Sequence, residues 1–479
     1  MPQIRHSLLS CFSPLEEAVV RGIALLKHPV LLAVVSGLLL ALSYPQFNVW
    51  IFAWVALVPM LFAIQNKNLI QSFGLGWLAG FVAFVGQIYW LRIFHFSIPI
   101  VLSAYLALYF GLFCLLYQFV KNRMPVSGVI AIPIIWTAVE YFRSIGPWGF
   151  PAGLLGYSQH QNLAFIQIAD MVGVFGISFL LALVNSTIFY AFKNFSYKKL
   201  IPIFVVAVMV IAVFGYGMVK LNIAETNPNF RVGLIQPGID FRVEKGYEVN
   251  KALAVLEDLT KETAEHKPDL IIWPETVITE SIRVNPAISR KIFEIVAKSK
   301  TYFLIGNADI KIVNGKVKHY NSAFLISPNG QVIGQYNKIR PVPLWEIFPL
   351  RYYLGFLRNI EGKGACNPGS EHTVFNLPKG KFSALICFEG IFPDLVKRFV
   401  KSGAQFLVNI SNDSWSQSES EHFQHASMNV FRAIENRIYY VRVGNSGVTE
   451  VIDPYGRIRQ ILPIYRKGYL VADIELKND

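Results

Sequence analysis

Charge is scarce in this chain and unevenly spread. Asp, Glu, Lys and Arg make up only 16% of the 479 residues against 53% hydrophobic ones, and the apolar excess falls in the first part of the sequence. That asymmetry is expected of a membrane half joined to a soluble half. Acidic residues are the scarcer sign, 31 against 44 basic, for a net charge of +13. No dense run of Lys and Arg interleaves with aromatics, so nucleic acid is excluded as a partner and anionic lipid headgroups are left to meet the charge. Cysteine is nearly missing too. Cys11, Cys114, Cys366 and Cys387 lie far apart without a CxxC spacing, which excludes a zinc site and a disulfide framework and leaves room for a single working thiol. Neither GxGxxG nor GxxxxGK[ST] occurs, so nucleotide binding has no support. The N-terminal region also lacks a small-residue cleavage site. Its apolar run from about His28 leads into further spans and is expected to stay in the membrane.

A single hydrophobic core stops growing at roughly 250–300 residues, so two domains are expected: a transmembrane helical domain over 1–220 and a catalytic domain over 221–479. A span needs about 20 apolar residues. Seven stretches qualify, at about 29–43, 48–64, 70–91, 98–120, 126–142, 171–192 and 201–219. Alternate connections carry Lys67, then Lys121 and Arg123, then Lys193, Lys198 and Lys199, whereas the opposite ones carry only Arg92 and Arg143. Lys and Arg accumulate on the cytoplasmic side, which puts the N-terminus inside and exports everything after Lys220. The connection between Tyr141 and Asp170 holds Trp148, Gly149, Phe150 and Pro151. It reads either as a cavity lining or as a re-entrant packing loop.

After Asn227-Pro228-Asn229, strand-like segments at 231–235, 270–273, 302–306, 322–326, 331–335, 382–386, 406–410, 439–443 and 448–452 alternate with helices such as 247–265 and 287–299. This predicts an α/β domain with a layered sheet core.

Three strand ends carry candidate chemistry. Phe382 to Ile386 reads as a buried strand that delivers Cys387 to a helix start at about Ile391, where backbone NH groups and the helix dipole favour thiolate. Ile271-Ile272-Trp273-Pro274-Glu275 delivers a carboxylate in the same way, at the sheet edge where catalytic groups of open α/β sheets gather. Tyr336-Asn337-Lys338 leaves a hairpin and enters a Pro-rich loop. Taken singly, each has a plain alternative: a small buried hydrophobe for Cys387, a capping or ion-pair carboxylate for Glu275, a surface amine for Lys338.

The order WPE, then YxK, then Cys followed by an aromatic and Glu resembles the nitrilase or carbon–nitrogen hydrolase superfamily. With seven spans ahead of it, the chain resembles the bacterial apolipoprotein N-acyltransferase family over almost its full length. Ser43-Tyr-Pro45, Tyr89-Trp90-Leu91, Glu140-Tyr-Phe-Arg143 and Gly149-Phe-Pro151 carry that narrower likeness in the membrane half. Ser411-Asn-Asp-Ser-Trp415, Gln424-His425, Arg432-Ala-Ile-Glu435-Asn-Arg437 and Asn445-Ser-Gly447 carry it in the soluble half.

The resemblance implies a membrane helical bundle followed by a nitrilase-like αββα sandwich. Cys387 would be the nucleophile, Glu275 the general base and Lys338 the oxyanion stabiliser, with Glu346, Glu389, Phe388 and Trp273 in support. Histidine is not needed in such a site, so His425 is expected to be structural. Trp415 and Trp148 are expected near the substrate, and Trp345, Phe348 and Phe356 belong to an apolar loop, 344–357, expected to reach lipid. The implied reaction moves an acyl chain from a phospholipid through a Cys387 thioester to the N-terminal S-diacylglyceryl cysteine of an apolipoprotein, with no metal or organic cofactor. A membrane-tethered amidase is the alternative. The implied location is the bacterial inner membrane, in contact with membrane lipids, with the catalytic domain periplasmic. Three positions depart from the family pattern: Ala152 where Trp is common, Trp345 where Gly is usual, and Phe388 where Tyr is common. No span follows the soluble domain, so the C-terminus is expected outside.

Overall fold

The computed structural model describes residues 28–123, 128–193, 200–222, 228–239, 249–343, 345–347 and 365–477. Contacts divide the chain into two compact units. The first holds residues up to Arg143 together with Gly153–Ser158 and Ser178–Ile211; the second holds Ser144–Ala152, Gln159–Ile177 and Ala212–Asp479.

Apolar helices occur at each of the seven expected stretches. Leu69–Ile88 (extended to Ile93 by a 3-10 turn), Ser97–Arg123, Ala169–Lys193 and Leu200–Leu221 are long and apolar enough to cross a membrane, whereas Pro29–Leu42 and Trp50–Ala63 are shorter, and Gly128–Ser144 has 17 residues. The Leu69–Ile88 helix starts at a capping box in which Asn68 accepts from the Gln71 backbone and Gln71 closes on the Asn68 NH, satisfying two amides that the helix cannot. Lipid supplies no hydrophobic drive between helices, so small residues must let them approach. A Cβ on Gly76 would lie 2.5 Å from Cys114 Sγ, and one on Gly80 2.7 Å from Phe110. Cys114 is therefore a packing residue. Asn185 ties further segments of this unit together, accepting from Leu57 N and donating to Ala53 O.

Among the described residues, the second unit contains two six-stranded sheets. One runs β12-β1-β2-β3-β4-β5 and the other β11-β10-β9-β8-β7-β6, with β1 Phe230–Gln236, β2 Leu270–Ile272, β3 Tyr302–Val313, β4 Lys316–Ile326, β5 Val332–Asn337, β6 Phe375–Leu377, β7 Gly380–Ile386, β8 Phe406–Ser411, β9 Tyr439–Gly444, β10 Thr449–Ile452, β11 Ile458–Leu462 and β12 Gly468–Ile474. The sheets repeat one plan: β1, β2 and β3 are parallel, as are β7, β8 and β9, and antiparallel strands flank each set. Helices Val249–Glu265 and Pro286–Ser299 pack on the first sheet through Leu253, Leu256, Ile288, Ile292 and Ile295. Asn285 caps the latter by accepting from Ala287 and Ile288 N, and Pro286 stands where a helix NH has no partner anyway. Phe230 and Phe406 meet with ring centroids 5.1 Å apart, joining β1 to β8 between the sheets. This is the nitrilase-like two-sheet α/β domain expected.

The segments Ser144–Ala152 and Gln159–Ile177 belong to this unit. Arg437 donates to Gln167 Oε1 at 2.6 Å and to Asp170 Oδ2 at 2.8 Å, and Val174 N donates to Glu435 Oε1 at 2.9 Å. Phe150 lies against Phe388, centroids 6.4 Å apart.

Candidate active site

Each candidate residue leaves a strand at a bend the local sequence enforces. After β2, Trp273 N continues the ladder to Leu304 O, and Thr276 then takes a left-handed φ of 46° and bonds to Gly306 O. Gly306 is required here, because a Cβ on it would stand 2.6 Å from Glu275 Cα. Lys338 follows β5 directly, its N bonded to Asn321 O on β4. Cys387 follows β7 as the first residue of a short 3-10 turn, Cys387–Ile391, at φ 53°. A non-glycine residue in that region costs roughly 1–2 kcal/mol, so the surrounding structure must hold it.

Glu275, Lys338 and Glu346 are all buried. Lys338 Nζ lies 2.8 Å from Glu346 Oε2 and 3.7 Å from Glu275 Oε1. Asn321 Nδ2 donates to both carboxylates, at 2.7 Å to Glu275 and 3.1 Å to Glu346. Asn412 N donates to Glu275 Oε2 at 2.8 Å, and Val342 N to Glu346 Oε2 at 2.7 Å. Every carboxylate oxygen in this group is thus engaged, which fixes Glu275 without quenching it as a base.

Burial pushes Glu275 up; Lys338 opposes that shift and Glu346 adds to it, and the net is a carboxyl above its usual range. Burial alone would lower Lys338, but Glu346 and then Glu275 outweigh it and hold the ammonium well above its ordinary value. The Cys387 thiol is half-buried and pushed well up, first by burial and then by Glu275, with Lys338 only partly offsetting. The expectation of a thiolate favoured by a helix start is therefore corrected. The α-helix begins at Pro393, two residues beyond the expected start, and burial together with the Glu275 charge raises the thiol. Such a thiol needs a base at the moment of attack.

Glu389 is fully buried and spent on three backbone NH groups and the Tyr336 hydroxyl. Its Oε1 accepts from Tyr336 OH, Ile339 N and Arg340 N at 2.7, 2.7 and 3.0 Å, and its Oε2 from Ile386 N at 2.8 Å. It ties the stretch after Lys338 to the strand before Cys387. Phe388 is half-buried, edge-on to Phe392 at 5.0 Å. Trp273 lies in the core, donating to Thr260 Oγ1 at 3.1 Å and packing against Phe303. Trp415 is half-buried in the turn Asp413–Trp415. Trp148 and Trp345 are exposed, while Phe348 and Phe356 lie outside the described residues. Cys366 is buried and donates its NH to Glu346 O. Burial, then Glu346, pushes its thiol up to about 12.

Sequence reading missed Asn321 altogether, since an Asn inside a strand carries no motif. Asn412 stood in the quoted Ser411-Asn-Asp-Ser-Trp415, but its contribution is a backbone NH. Asp413, Glu421 and His425 bring potential metal-ligand atoms within 4.8 Å of one another. Arg442 already bonds Asp413 Oδ2 at 2.6 Å there, so a guanidinium supplies the positive charge in that cluster.

Comparison with known sequences decides the family. A profile described as the apolipoprotein N-acyltransferase N-terminal domain matches residues 36–187, and one described as carbon-nitrogen hydrolase matches residues 231–478. An apolipoprotein N-acyltransferase of Geobacter metallireducens is 35% identical over 95% of this chain and 90% of its own length. The chain belongs to the apolipoprotein N-acyltransferase family. Apolipoprotein N-acyltransferase 1 of Treponema denticola is 30% identical over 94% of this chain and 91% of its own length. Among solved structures, an amidase from Nesterenkonia sp. covers 53% of this chain and 93% of its own at 17% identity, with a TM-score of 0.40. The chain is an enzyme of this acyltransferase family, with an apolar helical region and a carbon–nitrogen hydrolase domain.

Proposed function

We propose that this enzyme transfers an acyl chain from a phospholipid to the N-terminal S-diacylglyceryl cysteine of apolipoproteins, by a ping-pong route through a thioester on Cys387. The supporting observation is the buried Glu275–Lys338 pair whose charges act on a strained, half-buried thiol. Glu275 takes the thiol proton as sulfur attacks the ester carbonyl carbon. Lys338, held protonated by two carboxylates, offsets the charge on the carbonyl oxygen. The C–O bond breaks, Glu275 returns the proton to the departing alkoxide, and lysophospholipid leaves. The lipoprotein amine, with a pKa of about 8, then attacks the thioester carbonyl. Glu275 accepts a proton from the amine as the C–N bond forms, the C–S bond breaks, and Glu275 passes that proton to the departing sulfur, restoring the Cys387 thiol. Glu346 and Glu389 hold Lys338 and the Cys387 turn in register.

In this reading, the domains are 1–220 and 221–479, and the Lys and Arg bias of the connections puts the catalytic domain on the outer face of the inner membrane. The apolar stretch of sequence 344–357 serves lipid access, with Trp148 and Trp415 near the substrates. The test is to supply detergent-solubilised enzyme with acyl-labelled phospholipid and a diacylglyceryl lipopeptide. Label in the lipopeptide amide is expected. Free fatty acid with an unlabelled lipopeptide would instead identify a hydrolase, and an enzyme that releases no label at all would overturn both.

A further inference from the structure

Behind Cys387 lies a connected, buried set of side chains that the proposed chemistry does not use. Arg442 on β9 is fully buried. It donates Nη1 to Asn409 Oδ1 at 2.8 Å and Nη2 to Asp413 Oδ2 at 2.6 Å, and Nη2 lies 3.1 Å from His425 Nδ1. Asp413 Oδ1 and Glu421 Oε1 also face His425 Nδ1, at 3.6 and 3.8 Å; on the other side of the ring, Nε2 faces the Cys387 carbonyl oxygen, which can only accept, so Nε2 carries a proton. A guanidinium has only donors, so the Asn409 oxygen faces Arg442 and its NH2 faces away.

These two groups converge on a single atom. The Cys387 carbonyl oxygen lies 3.1 Å from Asn409 Nδ2 and 3.2 Å from His425 Nε2. Cys387 is the residue that β7 hands into a left-handed turn at φ 53°. The turn has no slack behind it: a Cβ on Gly390 would come within 3.2 Å of Asn409 Nδ2 and 2.6 Å of Tyr440 OH.

We infer that His425 and Asn409, the latter oriented by Arg442, are positioning residues that hold the Cys387 carbonyl and thereby fix where the thiol is presented. This rests on Cys387 being the nucleophile. Asp413 anchors Arg442 and also accepts from Ser411 Oγ at 2.7 Å, so the network is tied to β8 as well as β9.

The test compares His425→Leu, His425→Gln and Asn409→Asp with Cys387→Ala in the full-length enzyme. Two quantities are read: kcat and KM for acyl transfer from labelled phospholipid, and the rate at which iodoacetamide alkylates Cys387, mapped by peptide mass. Losing one such hydrogen bond is expected to lower kcat and the alkylation rate about tenfold in His425→Leu, with KM and the unfolding temperature kept. Gln carries an NH donor and is expected to recover most of the loss. Asn409→Asp keeps the oxygen that Arg442 grips but removes the donor, and is expected to behave like His425→Leu; it decides the matter if His425→Leu does not fold. Wild-type rates in the donor-less variants, or equal losses in Leu and Gln, would overturn the inference. Acyl transfer that persists in Cys387→Ala would instead bring down the nucleophile assignment on which it rests.

Discussion

Replacing Glu275 with Gln is the sharpest perturbation of the site, because it removes the base while keeping volume. Glu275 accepts two hydrogen bonds, from Asn321 Nδ2 at 2.7 Å and Asn412 N at 2.8 Å. A Gln amide can accept only one of them and turns its NH2 against the other donor. That mismatch costs about 1–3 kcal/mol of stability. Lys338 keeps Glu346 at 2.8 Å, so its charge is still paired and the fold is expected to survive. The catalytic loss is larger. A positioned general base contributes about 10²–10⁴-fold, and the Cys387 thiol, raised by burial and by Glu275, has little thiolate of its own at neutral pH. Part of the elevation disappears with the Glu275 charge, so the lower half of that range is expected, a fall of at least about 100-fold. Intact-mass spectrometry of single-turnover acylation measures it directly. Acylation of the variant within a factor of about three of wild type, in folded protein, would refute the assignment of Glu275 as base.

Lys338→Met strands two buried carboxylates and is expected to cost about 3–5 kcal/mol, read as a fall in thermal unfolding temperature in detergent; adding Glu346→Gln is expected to restore part of the stability and none of the activity. The acid limb of the acylation rate is expected above the ordinary carboxylate range. Burial raises Glu275, Lys338 only partly opposes it, and the rate is lost as pH falls through that raised value; a single-turnover pH profile shows whether the limb lies there or lower. Gly306→Ala drives a Cβ to 2.6 Å from Glu275 Cα and 2.7 Å from Pro274 O. It is expected to destabilise by about 1–3 kcal/mol and to lower kcat more than KM changes, as steady-state kinetics would report.

Local patterning showed the strands that carry the site, because β2, β7 and β8 are short, mostly buried and largely apolar runs. It missed the edges. Ile458–Leu462 is mostly exposed and includes Arg459 and Gln460, so its strand character comes from pairing with β10. Gly468–Ile474 is defined by its antiparallel register with β1, from Phe230 opposite Ile474 to Gln236 opposite Gly468, a partner more than 200 residues away. The β3–β4 hairpin extends past the expected 302–306 and 322–326 because Asn314-Gly315 turns it, both at positive φ, a two-residue signal not used in reading the sequence. The candidate triad could be placed on strand ends, but not the grip on it. Asn321 faces Glu275 because of the β4 register, and Asn409, His425 and Arg442 come together only when β8, β9 and the helix Glu419–Asn436 pack. The α-helix begins at Pro393, two residues past the expected start, and the Cys387 thiol is raised by its burial and by Glu275, neither of which the local sequence displays.

The central claim is that an acyl group rests on Cys387. Enzyme incubated with acyl-labelled phospholipid and no acceptor, digested and mapped beside Cys387→Ala, tests it most directly. The expected result is a hydroxylamine-sensitive acyl adduct on the Cys387 peptide, absent from the variant and chased onto a diacylglyceryl lipopeptide when one is added. An adduct on another residue, or transfer to the lipopeptide that proceeds in Cys387→Ala, would contradict the account.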